Sequence, residues 1–243
     1  IRDFNTLADT LEHNEKMRRQ LVGDVSHELR TPLAVLRGEI EALQDNIRPA
    51  SPESLSSLHA EVMQLDRLVG DLFQLSLSDM GALTYRKENL DLASLLDETV
   101  ESFRDRFSEK AISVVLNRTP EGEFRLFGDP GRLQQLFENL LSNSLKYTDH
   151  GGQVHIELER TEHMLTITWQ DSAPGVGPTE RERLFERLYR VENSRNRALG
   201  GAGLGLAICK KIVEAHEGTI VAESSDLGGV LFKIDLPPAG GAH

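Results

Sequence analysis

The sequence predicts a multidomain fold: an antiparallel helical hairpin that pairs with a second copy as a dimeric four-helix bundle, followed by an α+β layer with helices on one face of a mixed sheet. Three observations predict it. Apolar residues recur at three- and four-residue steps across residues 7–77, a proline-rich break at Arg48-Pro49-Ala50-Ser51-Pro52 divides that pattern in two, and beyond Gly81 helices and strands alternate. With 243 residues, 39% of them hydrophobic, the chain can bury a core in each part.

The first helix is expected from Leu7 to Ile47, carrying Val22, Val25, Leu29, Leu33, Leu36, Ile40, Leu43 and Ile47 on one seam. Ser51 followed by Pro52 reads as an N-cap and first helical residue of a second helix, striped with Leu55, Leu58, Val62, Leu65, Val69, Leu72 and Leu75. One such hairpin exposes part of each stripe, including Leu68 and Phe73, and dimerisation covers it. Ser78-Asp79-Met80-Gly81-Ala82 ends the hairpin and sets a domain boundary near residue 82. A strand is expected at Tyr85–Glu88, then a helix capped by Asp91 that carries Leu92, Leu96, Val100, Phe103 and Phe107. Strands follow at Ile112–Asn117 and Phe124–Phe127, and a helix at Pro130–Tyr147. Gln153–Arg160 and Met164–Gln170 read as a hairpin, 172–201 as a long loop, and Leu204–His216 as a helix. Thr219–Ser224 and Val230–Leu236 complete the sheet, and Pro237–His243 reads as a frayed tail.

Composition excludes several functions. The net charge of −12, without a clustered basic face, opposes nucleic-acid binding. A single cysteine, Cys209, rules out an internal disulfide framework and is expected to pack as a small apolar residue. No run approaches the roughly 18 apolar residues of a membrane span. The helical pattern is already under way at Ile1, so the sequence reads as a segment of a longer protein.

The chemistry concentrates in a few segments. In Ser26-His27-Glu28-Leu29-Arg30-Thr31-Pro32-Leu33, helical geometry places Leu29 roughly 40° from Val25, but His27 near 200° and Thr31 near 240°, so the histidine faces away from the seam. Glu28 is placed to accept the Nδ1 proton and leave Nε2 nucleophilic toward a γ-phosphoryl group. Thr31, one turn on, can orient a water for the reverse reaction, and Pro32 removes a backbone donor beside the reacting histidine. Of the eight histidines, only His27 has such a setting; His216 closes a helix where its charge would suit the dipole. The histidine spacing supports no metal site.

Downstream, Asn139, Asn143 and Lys146 share one helical face, which can hold a hydrated Mg²⁺ and phosphates. Asp171 leads into Ala173-Pro174-Gly175-Val176-Gly177, where a carboxylate can bind an exocyclic amine and glycines keep the backbone near a ring. Gly200-Gly201-Ala202-Gly203-Leu204-Gly205 opens a helix, offering N–H groups to a phosphate. Neither a P-loop nor a Rossmann fingerprint is present.

The octapeptide beginning at Ser26 resembles the H box of bacterial sensor histidine kinases, and the downstream segments, in this order, resemble the N, G1, F and G2 boxes of the GHKL ATP-binding fold. The first resemblance implies that His27 is phosphorylated, with Glu28 as general base and Thr31 assisting a phosphatase reaction. The second implies an α+β sandwich of GHKL ATPase type binding ATP. In it Asn143 ligates Mg²⁺ with Asn139 assisting, Asp171 recognises adenine, Tyr147 lines the base site, and Gly203 and Gly205 meet phosphates. Phe185 fits the F box, and the segment between it and Gly201 becomes a mobile lid. Two departures stand out: Ala173 replaces a customary glycine, and Leu188 a frequent phenylalanine.

Residues 1–16 resemble the end of a HAMP linker, 17–82 a dimerisation and phosphoacceptor (DHp) hairpin, 83–238 a catalytic ATP-binding domain and 239–243 a tail. Arg30–Asp45 and Asp171–Gly177 resemble the BaeS-type subfamily of envelope-stress sensors. The implied protein is a homodimer that passes phosphate to an aspartate of a response regulator. It is the cytoplasmic portion of an inner-membrane protein, touching the membrane only through upstream segments. A phosphatase-dominant signalling module and a GHKL ATPase with a purely structural hairpin are the alternatives.

Overall fold

The computed structural model describes residues 29–119, 123–172, 174–191 and 202–239. The chain divides into two compact units, 1–73 and 74–243.

The first unit is the helical hairpin. Helix α1 is described over 29–44 and includes Pro32 near the start of that stretch. Asn46 ends the helix at φ 55°, and the Ile47 and Arg48 amides return to the Ala42 carbonyl at 2.9 and 3.0 Å. Helix α2 (Pro52–Asp79) begins at the expected cap: the Ser54 amide donates to Ser51 Oγ (3.3 Å) and the Ser51 amide to Ser54 Oγ (2.9 Å). Glu39 of α1 accepts from the Ser57 hydroxyl of α2 at 3.0 Å. Leu55, Val62, Val69 and Phe73 remain exposed as the stripe predicts. Leu68 does not: it is buried within the single chain.

The second unit is a sheet layer under helices. Its elements are β1 (Glu88–Asp91), α3 (Leu92–Ser102), α4 (Arg104–Glu109), β2 (Ser113–Arg118), β3 (Arg125–Gly128), α5 (Pro130–Tyr147), β4 (Gln153–Arg160), β5 (Leu165–Asp171), α6 (Pro178–Arg183), α7 (Gly205–Ala215), β6 (Thr219–Ser224) and β7 (Val230–Leu236). Five strands form one sheet in the order β2-β4-β5-β7-β6, with β2 and β4 parallel and the other neighbours antiparallel, while β1 and β3 form a separate antiparallel pair. Alternation buries Val154, Ile156, Leu158, Leu165, Ile167 and Trp169 on one face of β4 and β5, where α3, α5 and α7 contribute Leu96, Leu136, Leu140, Ile208 and Ile212 to the core. The fully buried Trp169 donates its indole N–H to Ser144 Oγ at 3.1 Å, tying β5 to α5. Cys209 is buried, as an apolar residue would be.

Several boundaries move. The first strand pairs at 88–91 rather than 85–88, the helix after Asp91 breaks at Phe103 into α3 and α4, and α6 occupies part of the expected loop. His216 is corrected more substantially. It is buried rather than presented as a charge at the end of α7: its Nδ1 bonds the Ile212 carbonyl (2.7 Å) and its Nε2 accepts from the Asp129 amide (2.9 Å), so the ring is neutral.

Candidate functional site

In the hairpin, Thr31 lies exposed on α1. His27 and Glu28 lie outside the described residues. A largely apolar groove along α1 is lined by Leu29, Leu33, Leu36 and Ile40 of the seam, with Arg30, Arg37 and Glu41 beside them.

In the second unit, α5 supplies one wall. Its start is fixed by Asp129, whose carboxylate accepts from the Arg132 amide (3.1 Å) ahead of Pro130, and its 18 residues carry Asn139, Asn143, Lys146 and Tyr147. All four are half-buried. Asn139 Nδ2 donates to the Gly205 carbonyl at 3.4 Å, joining α5 to the glycine turn before α7 and leaving Asn139 Oδ1 as an oxygen donor. A Cβ at Gly205 would stand 3.6 Å from that same amide oxygen. Lys146 Nζ sits 5.0 Å from the Tyr147 ring centroid. Burial, reinforced by the Arg190 guanidinium, pushes the Lys146 ammonium down to about 8, and burial raises the Tyr147 phenol above its ordinary value.

The opposite wall begins at Asp171, at the end of β5. The carboxylate is nearly buried, and its Oδ1 accepts from the Val230 amide at 3.0 Å while its backbone carbonyl accepts from the Gly229 amide at 3.1 Å. Gly175 packs against the same turn: a Cβ there would stand 2.9 Å from the Gly228 carbonyl oxygen, so a side chain would push the turn away. Gly177 has a local role as the N-cap of α6, where its amide donates to Glu180 Oε2 at 2.9 Å. Ala173 and Gly201 lie outside the described residues.

The F-box expectation has a physical anchor. Phe185 meets Phe232 of β7 edge-on at 6.1 Å. Three residues later Leu188 adopts φ 58°, and its amide donates to the Gly203 carbonyl at 3.0 Å. Gly203 is itself at φ 67°, and a Cβ there would lie 2.7 Å from the Tyr189 carbonyl oxygen. Only glycine suits that crossing. Leu204 is buried beneath it and its carbonyl accepts the Ile208 amide, starting α7.

The structure therefore joins Asn139 to Gly205, Lys146 to Tyr147, and the Phe185 segment to Gly203. Sequence reasoning missed Arg190, whose charge reaches Lys146 and Tyr147, and the Gly228–Gly229 turn that seats Asp171 and Gly175. The paired glycines between the last two strands were the only signal for that turn.

Comparison with known proteins bears on this arrangement. Residues 17–81 match the His Kinase A (phospho-acceptor) domain, and residues 128–240 match the histidine kinase-, DNA gyrase B- and HSP90-like ATPase domain. The mycobacterial sensor histidine kinase MprB is 30% identical; the match covers 62% of this chain and 97% of that one, with a TM-score of 0.55. The chain belongs to the sensor histidine kinases. This kinase chain is also 53% identical over 235 residues to the signal transduction histidine-protein kinase BaeS of Escherichia coli, covering 97% of the chain and 50% of the relative. Acinetobacter baumannii histidine kinase AdeS shares its fold, with 26% identity, a TM-score of 0.74, and coverage of 88% of this chain and 98% of that one. The chain spans about half the length of BaeS, and its likeness to BaeS supports the BaeS-type assignment. The kinase's ATPase domain implies ATP binding. Among the described residues, no helix is long and apolar enough to cross a membrane.

Proposed function

We propose that this histidine kinase autophosphorylates His27 from Mg²⁺-ATP and passes the phosphoryl group to an aspartate of a response regulator. The observation that carries the reading is the Asn139–Gly205 contact. It brings two motifs 66 residues apart in sequence to one place, a helix face rich in amide oxygens and a glycine turn opening a helix.

The residues fit the nucleotide and its cation. Asn143 is assigned to Mg²⁺, with Asn139 beside it, because both are oxygen donors on one helix face and Mg²⁺ takes oxygen ligands while keeping waters. When bound, the cation neutralises phosphate charge. Lys146, Gly203 and Gly205 face the phosphates, Leu204 fixes the turn between those glycines, and Tyr147, Asp171, Gly175 and Gly177 surround the base. Phe185 anchors the segment that leads to the lid and Gly201. In the transfer, Glu28 accepts the Nδ1 proton of His27 while Nε2 attacks the γ-phosphorus; the N–P bond forms as the bond to the bridging oxygen breaks and ADP leaves.

The exposure of Thr31 favours a bifunctional protein, because a hydroxyl on open helix surface can position a water for dephosphorylating the regulator. The exposed stripe of Leu55, Val62, Val69 and Phe73 supports a homodimer. We assign 17–82 to the phosphoacceptor hairpin, 83–238 to the catalytic domain and 1–16 to the end of a HAMP linker. The parent protein is placed at the inner membrane with this portion in the cytoplasm. Incubation with γ-labelled ATP and Mg²⁺ tests the reading: wild type takes up label, His27→Gln takes up none yet binds nucleotide, and Asn143→Ala loses both. Undiminished labelling of His27→Gln would overturn the assignment.

A further inference from the structure

The second unit begins at Gln74, so it takes in residues 74–79 of α2, a helix that runs unbroken from Pro52 to Asp79. This last stretch, about a turn and a half, is seated by three contacts. Leu75 is buried. Gln74 Oε1 accepts from Gln135 Nε2 of α5 at 2.8 Å. The Asp79 carboxylate accepts from Nη1 and Nη2 of Arg187, one oxygen to each, in the paired geometry that a guanidinium and a carboxylate favour.

Both polar partners stand next to groups assigned to the phosphates. Gln135 lies one helical turn before Asn139, and Arg132 fixes its amide by donating to Gln135 Oε1 at 3.0 Å. Arg187 directly precedes Leu188, whose amide donates to the Gly203 carbonyl at 3.0 Å. Leu188 stands at φ 58°, a left-handed conformation that a leucine keeps only where its surroundings hold it. The Asn139–Gly205 hydrogen bond closes the circuit. It runs from α2 to Gln135 and Asn139, across to Gly205 and Gly203, and through Leu188 and Arg187 back to α2. The glycine turn is thus braced from α2 on two sides. Asp79, itself an anion, serves a phosphate site through Arg187.

We propose that the end of α2 is a working part of the nucleotide site: Asp79, through Arg187, and Gln74, through Gln135, are positioning residues that hold the Gly203–Gly205 turn and Asn139 at the spacing the phosphates require. The proposal rests on the ATP-site reading above and adds a regulation to it. A shift at the end of α2 changes nucleotide affinity, and by reciprocity bound nucleotide steadies the end of α2. Since α2 is also the second helix of the hairpin, the link runs along one continuous helix.

The test is calorimetric titration of the whole chain with ADP and Mg²⁺ for wild type, Asp79→Ala, Arg187→Ala, the double variant and Asp79→Glu, with the melting temperature of each unliganded protein read from Trp169 fluorescence. The pair is partly exposed, 28% at Arg187 and 41% at Asp79, so its worth is modest: each alanine variant is expected to bind ADP about two- to fivefold more weakly. The double variant is expected to bind no more weakly than Arg187→Ala, because Asp79 acts through that arginine. Asp79→Glu, which keeps the carboxylate, is expected to stay within about twofold of wild type, and all four to melt within about 4 °C of it. Four results would overturn the proposal: unchanged or tighter binding by Asp79→Ala, the latter meaning that Asp79 withholds Arg187 from the phosphates; losses that add in the double variant; Asp79→Glu weakened as much as Asp79→Ala; or a larger fall in melting temperature, which assigns the loss to stability. Failure of wild type to bind ADP would remove the ATP-site reading itself, whereas wild-type binding with an unaffected Asp79→Ala removes only the role of α2.

Discussion

Replacing His216 with leucine should destabilise the catalytic unit and remove part of its pH dependence. The imidazole is 1% exposed and uses both nitrogens. Leucine keeps most of the apolar volume but leaves the Asp129 amide without its acceptor. The Ile212 carbonyl suffers less, because the His216 backbone amide also donates to it at 3.2 Å. One stranded buried N–H costs about 1–3 kcal/mol. For a domain of this size each kcal/mol is worth about 2–4 °C of melting temperature, so a drop of about 2–12 °C is expected.

The sign of the pH effect follows from the lowered pKa of His216, which burial causes first; the Ile212 hydrogen bond opposes it, Lys87 assists, and Asp129 opposes. The Tyr85 ring packs edge-on against it at 5.8 Å. A group depressed below its unfolded value of 6.5 takes up protons on unfolding, so its stabilisation is complete above pH 6.5 and is lost as pH falls through the lower folded value. The chain's single tryptophan, Trp169, lies buried in this unit and reports its melting alone. Melts at pH 7.5 and 5.5 should show wild type losing more stability than His216→Leu across that interval. A variant that melts within about 1 °C of wild type at pH 7.5, or that keeps the full wild-type pH slope, would refute the reasoning.

Two further predictions concern the nucleotide site. Gly203→Ala places a methyl 2.7 Å from the Tyr189 carbonyl oxygen at φ 67°, so ADP binding should fall at least tenfold by titration (about 1.4 kcal/mol); near-wild-type affinity would mean the crossing is not rigid. Lys146, held down to about 8, is charged below that value and neutral above it, so wild-type affinity for Mg²⁺-ADP should decline as pH rises from 7 to 9, while Lys146→Arg, charged throughout, should stay flat; parallel profiles would exclude Lys146 from phosphate binding.

The legible elements are those whose ends carry their own chemistry. Helix α5 runs from Pro130 to Tyr147 as expected because Asp129-Pro130 specifies its start locally, and β4, β6 and β7 alternate cleanly between turn residues. Where tertiary pairing decides, local signals mislead. Strand β1 begins at Glu88 because its register is set by β3, with Glu88 opposite Gly128. The break at Phe103 has no glycine or proline to announce it. His216 looked like a charge at a helix end because its decisive partner, the Asp129 amide, is 87 residues away. Leu68 was assigned to an exposed stripe from periodicity, which does not count what the single hairpin buries.

The site divides in the same way. Asn139, Asn143, Asp171, Gly203 and Gly205 could be picked out as candidates because helix starts, strand ends and glycine turns mark them. The Gly228–Gly229 turn and Arg190 acquire their meaning only from what the fold brings beside them.

The central claim is that this chain moves the γ-phosphoryl group of ATP onto His27. The most direct measurement maps the phosphoryl group by peptide mass spectrometry under neutral conditions after incubation with Mg²⁺-ATP, alongside the acid and base stability of the modified protein. The account predicts an acid-labile, base-stable modification on the peptide containing His27, and on its imidazole. An acid-stable modification elsewhere, or ATP bound and hydrolysed without any phosphorylated histidine, would contradict it.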